Sequence, residues 1–181
     1  MKYTLKDLIE KYQQDPNIDF LFFWGHKPNP DGTISRTCLS QWWQGAFIVD
    51  GITYFTAEHW MMEKKAALFN DADTLKQILE TESPAAVKKM GRKIANFDPA
   101  VWDLQKYEIV KQGNIHKFGQ QPELKAFLLS TNQKVLVEAS PFDTVWGIGL
   151  LQDAKEAQNP NHWKGENLLG FALMEARDAL S

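Results

Sequence analysis

The sequence predicts an α+β fold: one mainly helical domain over residues 1–181, with a small β-sheet. Three observations carry this prediction. Helix starts marked by Ser-Pro, Asp-Pro and a lone Pro recur from residue 83 onward. The β-prone runs are few, short and clustered, and they do not alternate with helices as a parallel α/β sheet requires. The length of 181 residues suits a single domain of the usual ~100–200 residues.

Thr4 to Gln13 reads as a short amphipathic helix, with Leu5, Leu8, Ile9 and Tyr12 on one side. Phe20-Leu-Phe-Phe-Trp24 reads as a buried strand. Pro28, Pro30 and Asp31-Gly32 mark a loop from His26 to Ser35. Phe47-Ile-Val, Asp50-Gly51 and Ile52-Thr-Tyr-Phe55 form a hairpin signal, because Asp-Gly suits a type I′ turn. Thr56 caps a predicted helix from Ala57 to Phe69, and Asp71 or Asp73 starts the next, to Glu80. Ser83-Pro84 and Asp98-Pro99 are N-cap plus N1-proline starts, the second leading to Lys117. Pro122 opens a helix to Ser130, Val135 to Glu138 is a short strand, and Ser140 to Trp163 is mostly loop. A last helix runs from Glu166 or Asn167 to Leu180.

Composition narrows the function. Hydrophobic residues make up 44%, and seven Trp with eleven Phe supply too much apolar surface for a disordered chain. The formal charge of −3 argues against a generally basic nucleic-acid binder, while leaving room for a local basic cleft. Cys38 is the single cysteine, so no intrachain disulfide forms and no zinc site with several thiolates exists. His26 and His162 lack ligand spacing, and no metal site is expected. There is no signal-peptide h-region and no run of ~18 apolar residues, so a soluble cytoplasmic protein is the expectation.

The helix after Thr56 carries the most chemistry. With Ala57 at zero on a helical wheel, Met61, Leu68, Phe69 and Met62 define an apolar face, and Lys65 (~80°) and Glu58 (~100°) lie in its middle. Either the two form a structural ion pair, or Lys65 snorkels out, or this face borders a pocket. In a pocket, desolvation lowers the pKa of Lys65 towards a nucleophile or base and raises that of Glu58 towards an acid. His59 and Glu63 fall on the opposite, solvent-directed face. A second cluster runs from Val137 to Gly149. There Glu138 ends a strand, Asp143 sits in the following loop, and Trp146 precedes glycines that allow close approach to a ligand. Carboxylates beside a Trp suit stabilisation of a cation; an Asx-turn aspartate beside a core Trp is the plain alternative. Arginine is scarce, so Arg36, Arg92 and Arg177 stand out for phosphate or carboxylate recognition, Arg177 equally as a structural residue. Trp24 offers a stacking face or a core ring. Trp42 and Trp43 are adjacent, so at least one reaches a groove.

Six or more blocks in order resemble the YbiA-like family, also called the NADAR domain. They are Phe22-Phe-Trp-Gly-His26, Cys38-Leu-Ser-Gln-Trp-Trp43, Tyr54 through Ala-Glu-His-Trp-Met-Met-Glu-Lys-Lys-Ala to Phe69, Met90-Gly-Arg92, and Lys117-Phe118. Glu138-Ala-Ser-Pro with Asp143 and Trp146-Gly147 follows, then Trp163 through Asn167 and Gly170 to Arg177. Trp60 stands where the family pattern often has Tyr. The resemblance spans about residues 20–178.

The resemblance implies an α+β N-glycosidase without metal or redox cofactor. Its expected substrates are early riboflavin-biosynthesis intermediates, phosphoribosylamino-pyrimidines, cleaved to a free pyrimidine and ribose 5-phosphate. Two alternatives are a module that binds ADP-ribose or NAD without turnover, and a hydrolase that removes ADP-ribose from guanine in nucleic acid. Glu58 and Asp143 are expected to protonate the leaving nitrogen and stabilise the ribose cation, with Glu138 as substitute. Lys65 opens a second route through a Schiff base. Arg36 and Arg92 are expected to hold the 5-phosphate, and Trp24 or Trp146 to stack on the base. The blocks add Met62, Lys117, Gly147 and Asn167 as substrate-binding positions. The partner is therefore a small phosphoribosyl or ADP-ribosyl compound, with no membrane.

Overall fold

Most of the helix starts legible in the sequence are realised as side-chain caps. The computed structural model describes residues 1–181. Thr4 caps α1 (Leu5–Gln14), Thr56 caps α2 (Ala57–Leu68) and Asp71 caps α3 (Ala72–Leu79). Ser83 caps α4 (Pro84–Gly91) and Asp98 caps α5 (Pro99–Gln120). Each cap satisfies a backbone donor that the first helical turn leaves unpaired. α5 runs past Lys117 until Pro122, which forces the preceding Gln121 into extended backbone and opens α6 (Pro122–Ser130). α7 (Leu168–Leu180) follows Asn167, a left-handed residue at φ 55°.

The strands form two separate pairs. β1 (Phe20–Phe23) lies parallel to β4 (Val135–Glu138), from Phe20 opposite Val135 to Phe23 opposite Glu138. β2 (Phe47–Val49) and β3 (Ile52–Tyr54) form the antiparallel hairpin. Its turn residues have φ 51° at Asp50 and 78° at Gly51, the two positive values that a type I′ turn needs.

α7 packs on β4 and on α5, and α2 packs against α3, α4 and α5. One large apolar cluster joins the strands β1 and β4 to these helices, while Phe47, Tyr54 and Trp60 form a small aromatic cluster under the hairpin. Gly91 lets α4 approach α2 closely: a Cβ there would lie 1.9 Å from the sulfur of Met62.

The central position of α2 corrects one expectation. His59 and Glu63 are buried rather than solvent-directed. The ring of His59 bonds to the Thr56 hydroxyl (2.8 Å) and the Thr81 carbonyl (2.7 Å). Glu63 pairs with Lys64 at 3.0 Å and accepts from the Tyr54 hydroxyl at 3.3 Å. With neighbours on several sides, α2 has no solvent face that a wheel would reveal.

β1 and β4 are parallel and end together, so Trp24 and the segment from Glu138 to Asp143 leave the sheet at the same end. No helix is long and apolar enough to cross a membrane.

Candidate active site

Glu138 is fixed by backbone on several sides. Its N–H donates to the Asn167 Oδ1 (3.0 Å), its carbonyl accepts from Ile148 (2.9 Å), and the next N–H, of Ala139, donates to Phe23 (2.9 Å). Gly147 permits this closure, because a Cβ there would come within 2.8 Å of the Glu138 carbonyl. The carboxyl Oε2 is buried without a hydrogen-bond partner. Burial, and then the charge of Asp143, pushes Glu138 up to about 8, with Lys88 acting the other way.

Glu58 stands in the first turn of α2 and is 5% exposed. Its N–H donates to the Gln41 carbonyl at 3.0 Å, tying α2 to the loop that carries Trp42. Burial pushes its carboxyl up to about 7. Lys88, Trp42 and Arg92 favour its charged form, and Asp143 opposes it. Asp143 itself makes the Asx turn: Oδ1 accepts from the N–H groups of Val145 (2.9 Å) and Trp146 (2.7 Å). The turn aims this carboxylate while leaving Oδ2 outside the bonds that form it. Glu58, Glu138 and Asp143 thus act on one another electrostatically, and Lys88 is the cation common to both glutamates. Such a group divides into members that hold a proton and members that carry charge.

Lys65 is not an ion-pair partner of Glu58. Its Nζ donates to the Gly91 carbonyl (2.8 Å) and lies 4.1 Å from the Phe97 ring centre and 5.3 Å from that of Trp102. Burial pulls its pKa down, with the charge of Glu58 opposing. The amine therefore sits half-buried in an aromatic recess at the end of α4.

The remaining candidates separate into surface and interior. Arg36 and Trp24 line a cavity of about 250 Å³ with Ala139, Leu151, Gln152 and Asp153, next to Glu138. Arg36 also donates to the Phe22 carbonyl at 3.2 Å. Arg92 is exposed at the end of α4. Trp146 is half-buried.

Lys117 and Asn167 are both fully buried and bonded within the protein. Lys117 donates to the carbonyls of Cys38 (2.6 Å) and Ser40 (2.9 Å), and burial pulls its pKa down to about 7. Asn167 bonds Glu138 and donates to the Leu136 carbonyl at 2.9 Å. Met62 fills the α2–α4 contact and Gly147 lies beneath Glu138, so these two also support the site from behind.

Sequence reasoning missed Lys88 and Phe142. Lys88 lies on α4 one turn before Arg92, a spacing that would have placed both cations on one face. Its Nζ lies 5.7 Å from the Trp42 ring centre, and Trp42 is the half-exposed member of the Trp pair. Phe142, 86% exposed, stands 6.2 Å from Trp24 between ring centres. No three His, Cys, Asp or Glu side chains converge as a metal site.

Known proteins share this arrangement of sequence and fold. A family model described as the NADAR domain matches residues 22–181. An N-glycosidase of Acanthamoeba polyphaga mimivirus is 42% identical over 166 residues, covering 88% of this chain and 95% of that protein. N-glycosidase YbiA of Escherichia coli is 34% identical over 133 residues, 74% of each chain. The NMR structure of E. coli YbiA superposes with a TM-score of 0.71 at 29% identity, over 90% of this chain and 86% of that one.

Proposed function

The chain belongs to the NADAR domain family and is a hydrolase of the N-glycosidase class, and from that premise we propose its substrate and mechanism. The substrates are early riboflavin-biosynthesis intermediates, phosphoribosylamino-pyrimidines, and the products are a free pyrimidine and ribose 5-phosphate. The observation that carries the mechanism is the grouping of the buried Glu58 and of Glu138, whose Oε2 is buried without a hydrogen-bond partner, in one electrostatic cluster with Asp143.

Breaking the C1–N bond sends its electron pair to nitrogen and leaves positive charge on the ribose. Glu138 holds its proton at neutral pH and gives it to the departing nitrogen. The charge of Asp143 stabilises the ribose cation. Glu58 accepts a proton from water as the water oxygen bonds to C1. Arg36 and Arg92 recognise the 5-phosphate, and Trp24 or Trp146 stacks on the pyrimidine. Burial of Lys65, which lowers its pKa, supports a second route at the same carbon. In its deprotonated form the amine attacks C1 of the ring-opened sugar, the nitrogen leaves with a proton, and water hydrolyses the Schiff base.

A second substrate class, ADP-ribose on guanine in nucleic acid, is favoured by the exposed rings of Trp24 and Phe142, on which a larger nucleotide would stack. One assay tests both. The protein is incubated with the riboflavin intermediates, NAD, ADP-ribose and guanine-ADP-ribosylated DNA, and released base and sugar are measured. Pyrimidine release fastest from the phosphoribosylamino-pyrimidines supports the proposal. Turnover of the DNA alone overturns it in favour of the second class, and binding without turnover overturns both.

A further inference from the structure

A second recess lies away from the carboxylate cluster. It is a cavity of about 720 Å³ between α1, α7 and the start of β4. That volume falls within the ~300–1,000 Å³ typical of small-molecule sites. The cavity borders Val135, at one end of β4, whereas Glu138 is at the other, ~10 Å away by strand rise. Its α1 wall precedes residue 22, where the family match begins, so the cavity combines the family domain with a segment outside that match.

Its floor is apolar, made by the buried Leu8, Val135, Phe171 and Met174. Its polar groups are unevenly satisfied. Of the acids, Asp7 accepts from its own cap, Thr4 (2.6 Å), and Asp178 accepts from Lys2 (2.6 Å) and Tyr3 (2.8 Å). Of the cations, Lys2 is thereby paired, but Lys11 and Arg177 form no ion pair. Arg177 is 6% exposed, and its Nη1 donates to the Thr131 hydroxyl (2.8 Å) and the Lys134 carbonyl (3.0 Å). Its Nε and Nη2 have no partner in the protein, yet neither is closed off from solvent. A guanidinium held this way offers planar donors that match a carboxylate or a phosphate.

We propose that this cavity is a second ligand site, separate from the glycosidase centre, for a small organic anion. The anionic head, carboxylate or phosphate, bonds to Arg177 with Lys11 at the rim, and the apolar body lies on Phe171, Met174, Val135 and Leu8.

The test is a titration of the ¹⁵N-labelled full chain with 3-phenylpropionate, phenyl phosphate and the neutral 3-phenylpropanol, followed by amide chemical shifts. The expected result is saturable shifts at residues 129–135 and 171–178 with a Kd below ~1 mM for at least one anion. The alcohol should bind at least ~10-fold more weakly. The anion with the lower Kd identifies the head group. Lys11→Glu, at an exposed position, should weaken binding ~3–10-fold without altering glycosidase turnover. Arg177→Lys keeps the charge but loses the fork, and should weaken binding ~10-fold or more. The proposal is overturned by absence of saturable shifts with both anions, by equal binding of the alcohol, or by shifts confined to the Glu58, Glu138 and Asp143 region. An affinity unchanged in the folded Lys11→Glu and Arg177→Lys variants overturns it as well.

Discussion

Replacing Glu138 with glutamine tests whether a buried, protonated acid stands at the end of β4. Glutamine mimics the neutral carboxylic acid and differs from it chiefly where Glu138 would ionise. Burial raises Glu138 from 4.5 to about 8, so the folded protein holds a proton that the unfolded chain releases. The sign follows from linkage: this group's contribution to stability is complete below 4.5 and is lost as the pH rises through about 8. At ~1.4 kcal/mol per pH unit, the interval is on the order of 5 kcal/mol by pH 9 and 3 kcal/mol by pH 7. For a chain of this size ~1 kcal/mol moves Tm by ~2–4 °C. Glu138→Gln should therefore gain roughly 10–20 °C on wild type between about pH 4 and pH 9. The assay is thermal unfolding of both proteins at matched ionic strength across that range. Any pH-independent cost of burying the amide cancels in the comparison. The same variant cannot donate the proton, so turnover should fall by ~10²–10⁴. A Tm gap that stays constant, or moves against the variant as pH rises, refutes the claim that Glu138 is a buried neutral acid.

The kcat/KM profile of wild type should be bell-shaped, rising near pH 7 as Glu58 ionises to act as base and falling near pH 8 as Glu138 loses its proton. These limbs belong to the coupled cluster, and a profile flat from about pH 6 to 9 would contradict the assignment. Lys65→Met should fold and lose ~100-fold or more in rate if the amine acts in catalysis, and borohydride should trap a substrate adduct on wild type only. Normal turnover by the folded variant would make Lys65 structural. Activity should persist in EDTA, and loss of turnover that a divalent ion restores would count against metal-free chemistry. Trp24→Ala should raise KM ~5–100-fold through lost base stacking, and an unchanged KM would place the base elsewhere.

The local signals in the sequence proved the most readable. Asp50-Gly51 specified the hairpin turn, and Ser83-Pro84 and Asp98-Pro99 specified helix starts, because turn and cap chemistry is settled within a few residues. The charged pair on α2 was legible as a departure from the apolar pattern, and Glu58 is indeed buried. The burial of His59 and Glu63 was not, because it depends on which helices surround α2, and that depends on contacts between distant segments. Lys117 shows the same limit. Its place in a family block was legible, whereas its burial and the bonds by which its Nζ ties α5 to carbonyls 79 and 77 positions away were not.

The structure also settles a competition at Glu58 that residue order alone leaves open. A carboxylate in the first turn of a helix meets the positive end of the dipole, which favours its charged form by ~0.3–1 kcal/mol. Lys88, Trp42 and Arg92 push the same way. The carboxyl is nevertheless raised to about 7, so desolvation outweighs all of these together. At Glu138 burial is joined by the charges of Asp143 and Glu58, with Lys88 opposing, and the carboxyl rises to about 8. Both carboxyls are raised well above the ordinary carboxylate range, so the coupled cluster can hold a proton on one member and charge on another near neutral pH. The Gln41 carbonyl holds the main chain of Glu58, and Asn167 and Ile148 hold that of Glu138, so both side chains project from fixed backbone positions into the cluster.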